Sequence, residues 1–466
     1  MMTLRERQVT REDWLMFVNA CFACTGQREF YSDAHGQSVS IDFLHRYILG
    51  NYRQLYARAL ACGINDFNQA LIIVNLLATG KAAPKDHRAE EGALITRALE
   101  RMPPHRAMHV VERLAKQRVN NRRTRAIVGR FLGRPKDRDL RAVKYRRCFR
   151  RAALHAHLRL DGELASFFLR GWKSRVFTTP LFESFRRAHF GKDAVYDLPY
   201  SIAEGFAAKH GIARDVFLRR IEPKLTHHER LRLQNRSAAS LDEAYALDPT
   251  KLSPTKLASY ILSRPHGTGR DALWSSTLRA VRKTNARFGR VACVLDRSYS
   301  SYGSTEKRRR PLAVALAVSY FLRAASAEYR AFWTVPTSDE LRVDARGQTD
   351  LATPILDALE TNPDLLVIVS DGFDNDPPGA VGQLLQVVRT RLRRGAPFIV
   401  HVNPVFDAES YAPKSFCPAV PTMGIRDAED LPTLVLFARF ASDDATLESV
   451  IEHLDRRVRH FLRVTS

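Results

Sequence analysis

The chain has few cysteines, no long apolar run and, over its last part, no excess of charge of either sign. Its six cysteines, at positions 21, 24, 62, 148, 293 and 417 of 466 residues, are too scattered for a disulfide framework. A reducing compartment is the simplest setting. No stretch approaches the roughly 20 apolar residues of a membrane span. The opening MMTLRERQVTRED is charged and has no signal-peptide core behind it. A cytoplasmic protein without membrane contact is expected, and the length suggests roughly two to four domains.

What is present is positive charge, and it is confined. The net charge is +23. Residues 286–466 hold 22 Lys and Arg against 23 Asp and Glu, whereas residues 1–285 hold 51 against 27, a net of +24. An arginine-rich excess restricted to one part attracts polyanions, and nucleic acid is the commonest of these in a cytoplasm. A protein kept soluble by charge would spread it more evenly.

The basic part, from Met1 to Asn285, reads as helix almost throughout. DFLHRYILGNYRQLYARALA (42–61) and FNQALIIVNLLATG (67–80) carry apolar residues at three- and four-residue spacing. Gly and Pro clusters punctuate the pattern. The spacing predicts helices of about 12–18 residues in an irregular, HEAT-like helical-repeat array. A Ser-, Pro- and Thr-richer stretch at 235–275 reads as the connection to a second domain.

From Arg287 strands and helices alternate. RVACVLD (290–296), AEYRAFWTV (327–335), DLLVIVSDG (364–372), PFIVHVNPVF (397–406) and TLVLFARF (433–440) read as strands. Helices are expected near 310–326, 349–360 and 379–394, with a last one from an N-cap at Ser442 to about Leu462. This alternation predicts a doubly wound, Rossmann-like α/β domain over 286–466, after an all-α module over 1–275.

Ligands of such sheets bind beyond the carboxyl ends of the strands. Three motifs fall there: Asp296-Arg297-Ser298-Tyr299-Ser300, Gly347-Gln348-Thr349-Asp350-Leu351 and Ser370-Asp371-Gly372. Hydroxyl and carboxylate oxygens suit hard cations such as Mg²⁺. The ordered set resembles the metal-ion-dependent adhesion site of the von Willebrand factor A family. The resemblance implies that Ser298, Ser300 and Thr349 contact Mg²⁺ or another divalent cation, directly or through water. It implies that Asp296 and Asp371 act mostly through water, and that an open position accepts a carboxylate from a partner.

Catalysis is not expected. The haloacid dehalogenase pattern needs a second Asp two positions after Asp296, where Ser298 stands. A serine nucleophile needs a base in reach, and no His lies near these turns in sequence. A lone His401 on a later strand reads as structural.

The basic excess peaks between Arg113 and Arg151, with 16 Lys and Arg against Asp137 and Asp139. Arg118, Arg122, Arg123, Arg125, Arg141, Lys144, Arg147, Arg150 and Arg151 are the candidate phosphate contacts. Arg141, Lys144, Tyr145, Arg147, Arg150 and Arg151 can share one side of a single helix by spacing. Tyr145, Trp172 and Tyr200 could stack on unpaired bases. Cys21 and Cys24 read as helix-packing thiols rather than a zinc site.

A basic helical array followed by a von Willebrand A domain resembles the Ro autoantigen, or TROVE-module, family. Thr349-Asp350-Leu-Ala-Thr-Pro354 is similar to that family's Thr-Asp-x-x-x-Pro segment. The resemblance implies a ring or horseshoe of helical repeats that binds small noncoding RNAs of the Y type and the single-stranded ends of defective RNAs. It implies a non-enzymatic scaffold in RNA quality control, sometimes alongside a nuclease. The alternative is a protein-interaction adaptor resembling the von Willebrand A partners of MoxR-type ATPases. There the metal captures an acidic side chain, and the basic half is not needed.

Overall fold

The computed structural model describes residues 3–29, 33–135, 137–160, 162–174, 176–226, 229–230, 232–233, 251–263, 269–391, 396–442 and 446–463. Most of the expected connection at 235–275 therefore lies outside the described residues. The chain divides into two compact units, Met1–Asn68 with Asp248–His460, and Gln69–Leu247 with Phe461–Ser466.

In the first unit five parallel strands form one sheet: β1 (Phe288–Leu295), β2 (Ser326–Trp333), β3 (Leu365–Val369), β4 (Phe398–Asn403) and β5 (Thr422–Gly424). Their order is β2-β1-β3-β4-β5. Val291 pairs with Leu365 and Leu365 with Phe398, so β1, β3 and β4 end level. Side chains alternate between faces. Ala292, Val294, Leu366, Ile368 and Ile399 form one face, covered by Ile355 and Ala358 of the helix Ala352–Glu360 and by Val381, Leu385 and Val388 of Ala380–Arg391. The helix Arg310–Ala325 packs on β1 and β2 and is buried almost all round. That explains its nearly unbroken apolar sequence.

Two expectations are corrected here. TLVLFARF is not a strand but part of the helix Leu431–Ser442, with Leu431, Leu434, Val435 and Ala438 buried at helical spacing. A short apolar run does not disclose its own period, and Pro432 in the first turn suits a helix start. Ser442 ends that helix; the last one is Leu447–Arg463, and the Thr446 hydroxyl accepts from Ser449 N at 3.3 Å. The fifth strand is Thr422–Gly424, too short to show a pattern.

The units also depart from a single cut between 275 and 286, because Met1–Asn68 belongs with the sheet. Asn19, on the helix Leu4–Ala23, donates from Nδ2 to Thr422 O at 2.8 Å and accepts from Gly424 N. Its amide thus acts as a further strand partner for β5. A Cβ on Gly424 would collide with the Asn19 carbonyl. Gln37 Nε2 donates to Phe406 O at 2.8 Å and Ser40 Oγ to Ala408 O at 2.6 Å. Cys21 and Cys24 are buried within this packing as free thiols.

The second unit is helical: Arg88–Arg101, Pro104–Lys116, Arg122–Gly133, Arg138–Lys144, Arg146–His155, Gly162–Leu169, Pro180–Arg187, Tyr200–Lys209 and Arg214–Ile221. Several of these are shorter than the spacing of apolar positions suggested. Tyr145, with φ −118° and ψ 37°, breaks what the spacing suggested was one helix.

Candidate metal centre and nucleic-acid interface

Parallel pairing brings the three motifs together. Asp296 extends β1, its N–H donating to Val369 O of β3 at 3.0 Å. Its Oδ1 accepts from Ser298 N at 2.8 Å and its Oδ2 from Ser370 Oγ at 2.9 Å. The first motif is thereby fixed to the third. Tyr299 N donates to Gly347 O at 3.2 Å and Asn375 N to Thr349 O at 3.4 Å, which ties in the second. Ser298 Oγ lies 3.2 Å from Ser300 Oγ. Asp296, Ser298, Ser300, Thr349 and Asp371 are all buried.

Two buried carboxylates, Asp296 and Asp371, lie close enough in this cluster for one charge to act on the other. Burial raises Asp371, and the neighbouring Asp296 charge raises it further, while the Ser300 hydroxyl and Phe373 N–H pull it back. Burial raises Asp296 as well. Asp371 Oδ1 accepts from Phe373 N at 3.1 Å, but its Oδ2 is buried with no hydrogen-bond partner. Buried polar atoms normally have partners, so an orphaned carboxylate oxygen next to converging hydroxyls fits a site that holds a cation. Among the described residues no cluster of three or more His, Cys, Asp or Glu suits a metal. The set rests on two carboxylates and three hydroxyls, a donor chemistry for a hard ion.

Several residues support the cluster, of which Arg297 and Asn403 were given no role from sequence. Arg297 is almost fully buried, with Nη2 donating to Asp344 Oδ1 at 2.7 Å, Nε to Asp344 O at 3.2 Å and Nη1 to Val335 O at 3.2 Å. It pins the segment before Gly347 against the first motif. Asn403, at the end of β4, donates to Asp371 O at 2.9 Å and Lys414 O at 3.0 Å. Gly372 has φ +84°, and a Cβ there would strike the Lys414 carbonyl. His401 has its ring nitrogens 3.1 Å from Ser370 O and from Thr422 Oγ1, and burial pushes it down to about 4. The polar Asn ending an apolar strand was the one available signal.

The basic candidates separate into groups. Arg141 is buried, donating to Arg134 O at 3.0 Å with its guanidinium over Phe131. Arg123 pairs with Glu91 at 2.5 Å, Lys144 with Glu229 at 3.5 Å and Arg151 with Glu112 at 2.8 Å. The sparse local acids had suggested unpaired cations; these acids come from helices distant in sequence. Arg118, Arg122, Arg147 and Arg150 are exposed and in no ion pair among the described residues, and Arg125 is half-buried. Tyr200 is buried, donating to Glu204 Oε1 at 2.8 Å, and Tyr145 is half-buried; Trp172 is exposed.

The structure is similar to the crystal structure of the Ro (RSR) protein of Deinococcus radiodurans, with a TM-score of 0.52 and 16% identity, covering 92% of this chain and 100% of that one. The chain has the Ro-type fold. The expected architecture therefore holds: a helical-repeat part together with an α/β domain of the von Willebrand A kind. No protein-family model matches the sequence, and no curated protein does. Ro-type folding accounts for the order of the parts, while the site residues rest on their own geometry. Among the described residues no helix is long and apolar enough to cross a membrane.

Proposed function

We propose that the chain is a cytoplasmic, Ro-like RNA-binding scaffold that also holds one divalent cation. The carrying observation is that a likeness to a Ro protein runs along 92% of the chain, while the whole positive excess lies ahead of Ala286. Arg118, Arg122, Arg147 and Arg150 offer phosphates their exposed guanidinium groups. The RNA is a small noncoding RNA of the Y type or the single-stranded end of a defective one, bound in RNA quality control or processing.

Ser298, Ser300 and Thr349 would hold Mg²⁺, with Asp296 and Asp371 orienting its water. A bound cation supplies a positive centre for an acidic side chain of a protein partner, such as a nuclease. The orphaned Asp371 Oδ2 supports this reading. No catalytic step is assigned, since both His401 nitrogens already face structural oxygens.

The test is a salt titration of binding to a structured RNA with a single-stranded tail, with and without Mg²⁺. Affinity should fall steeply with salt. No binding at low salt would remove the scaffold function and leave a metal-dependent adaptor of the MoxR-associated type.

A further inference from the structure

Trp172, a candidate stacking residue by sequence, stands in an aromatic corner of the helical unit whose other ring, Phe190, has no assigned role. Trp172 lies in the short turn Gly171–Lys173, and Phe190 lies just beyond the helix Pro180–Arg187. Their rings meet edge to face, 5.7 Å apart at 72°. Trp172 also stacks on His189, at 5.1 Å and 22°. His189 is itself wedged edge-on against Phe185 and Phe206, at 5.1 and 4.8 Å. Lys209 Nζ donates to the His189 carbonyl at 3.0 Å and His210 Nε2 contacts Ala188 O at 2.7 Å. The base of the corner is therefore fixed.

Its outer side is open. Phe190 is 65% exposed and Trp172 37%, and Leu169 and Val176, close to Trp172 in sequence, are exposed too. Single exposed apolar residues are ordinary, but a grouped, rigidly backed set marks a contact surface. Cations outnumber acids around it. Arg170 and Lys173 bracket Trp172 in sequence, and Arg187 and Lys192 bracket Phe190. All four are exposed and in no ion pair among the described residues, and Lys173 Nζ lies over the Trp172 ring, 5.6 Å from its centroid. The acids nearby are already engaged. Glu163 accepts from Thr178 N and from Thr179 N and Oγ1. Glu183 takes Arg186 through two bonds of 2.6 and 2.8 Å, and Asp193 pairs with Arg220 at 3.8 Å.

An aromatic face rimmed by cations complements an unpaired nucleobase and its flanking phosphates. We propose that the Trp172–Phe190 corner stacks one unpaired base of a single-stranded RNA on the open Phe190 ring, with Trp172, held by His189 and Lys173, as its backing, while Arg170, Arg187 and Lys192 take the adjoining phosphates. The inference rests on the RNA-binding function above and locates where a strand is gripped. Paired bases have no free face, so the corner discriminates single strand from duplex. It differs in kind from the arginines at 118–150, which contribute charge without a stacking surface.

The probe is a short uridine-rich oligonucleotide carrying one 2-aminopurine, whose emission is quenched when it stacks, titrated with the full chain. Quenching is expected on binding. The double variant Trp172→Leu/Phe190→Ala should lose the quenching and bind about tenfold more weakly. Its salt slope should stay unchanged, because no phosphate contact is removed. Duplex RNA should bind both proteins alike, and Phe190→Tyr should keep the quenching. If the double variant melts early, Phe190→Ala alone, at an exposed position, decides the matter by the same signal. Full quenching and affinity in the variants would overturn the stacking site and leave RNA binding standing. Failure of the unmodified chain to bind any RNA at low salt would overturn both.

Discussion

The oxygen cluster at the strand ends and the cationic helices between Arg113 and Arg151 are built on opposite plans. In the cluster the polar side chains are buried and most positions follow from another: Ser370 holds Asp296, Asp296 holds Ser298, and Tyr299 holds the backbone at Gly347. On the helices the exposed arginines stand apart, and Arg123, Lys144 and Arg151 are tied to acids. A buried, interlocked site concentrates its energy in a few atoms, because each unmatched polar group there carries a desolvation cost. An exposed charged surface spreads its energy over many weak, salt-screened contacts. Single substitutions should therefore disable the first and scarcely affect the second.

The largest effect is expected from Asp371→Ala or Asp296→Ala, either of which should weaken Mn²⁺ or Mg²⁺ binding about 100-fold or more. Calorimetric titration reads this directly, and RNA affinity at fixed salt should stay within about twofold. Undiminished metal affinity in both variants would erase the contrast between the regions by removing the discrete site. Next comes Arg297→Met. It leaves the carbonyls of Asp344 and Val335 without their donor, and should cost about 2–3 kcal/mol of stability in denaturant titration. An unchanged midpoint would mean that the loops hold their positions without it.

Neutralising Arg118, Arg122, Arg147 and Arg150 together to Gln sharpens the other side. RNA affinity should fall about 10- to 100-fold, and the slope of log K against log salt should flatten by up to about 3–4. The companion set Arg123, Lys144 and Arg151 should change the slope by less than about 1 and lower the melting temperature instead. Equal effects from the two sets would show that the ion pairs open on RNA binding.

The two regions also differed in how much the sequence disclosed. Asp296, Ser298, Ser300, Thr349 and Asp371 were legible because each lies next to a recognisable strand end or helix start, so local order carried the spatial information. Arg141 and Arg151 were not legible as a packed side chain and an ion-paired one. What decided them were Phe131 and Glu112, which local spacing does not connect to them. The same holds for Met1–Asn68, whose attachment to the sheet runs through Asn19 and Thr422, 403 positions apart. TLVLFARF failed for a different reason: eight mostly apolar residues fit either period until the neighbouring helix faces are known.

The smallest effect should come from acid titration of the sheet-bearing unit. His453 packs edge-on between Phe437 and Phe440, its Nε2 buried without a hydrogen-bond partner. Burial, and then the charges of Arg457 and Arg456, push it down to about 4. The folded state therefore prefers the neutral ring. Its contribution is fully present above the ordinary value of 6.5 and is lost as pH falls towards about 4. His401 shifts in the same direction, so the unmodified protein should lose stability through that window for two reasons. His453→Phe keeps the ring packing and removes only one of them. Between pH 7 and pH 5 its loss of unfolding free energy should be smaller than the unmodified protein's by about 1–2 kcal/mol, allowing for partial solvent screening. Parallel pH profiles would show that the His453 ring reaches water when charged, and would take this histidine out of the acid response.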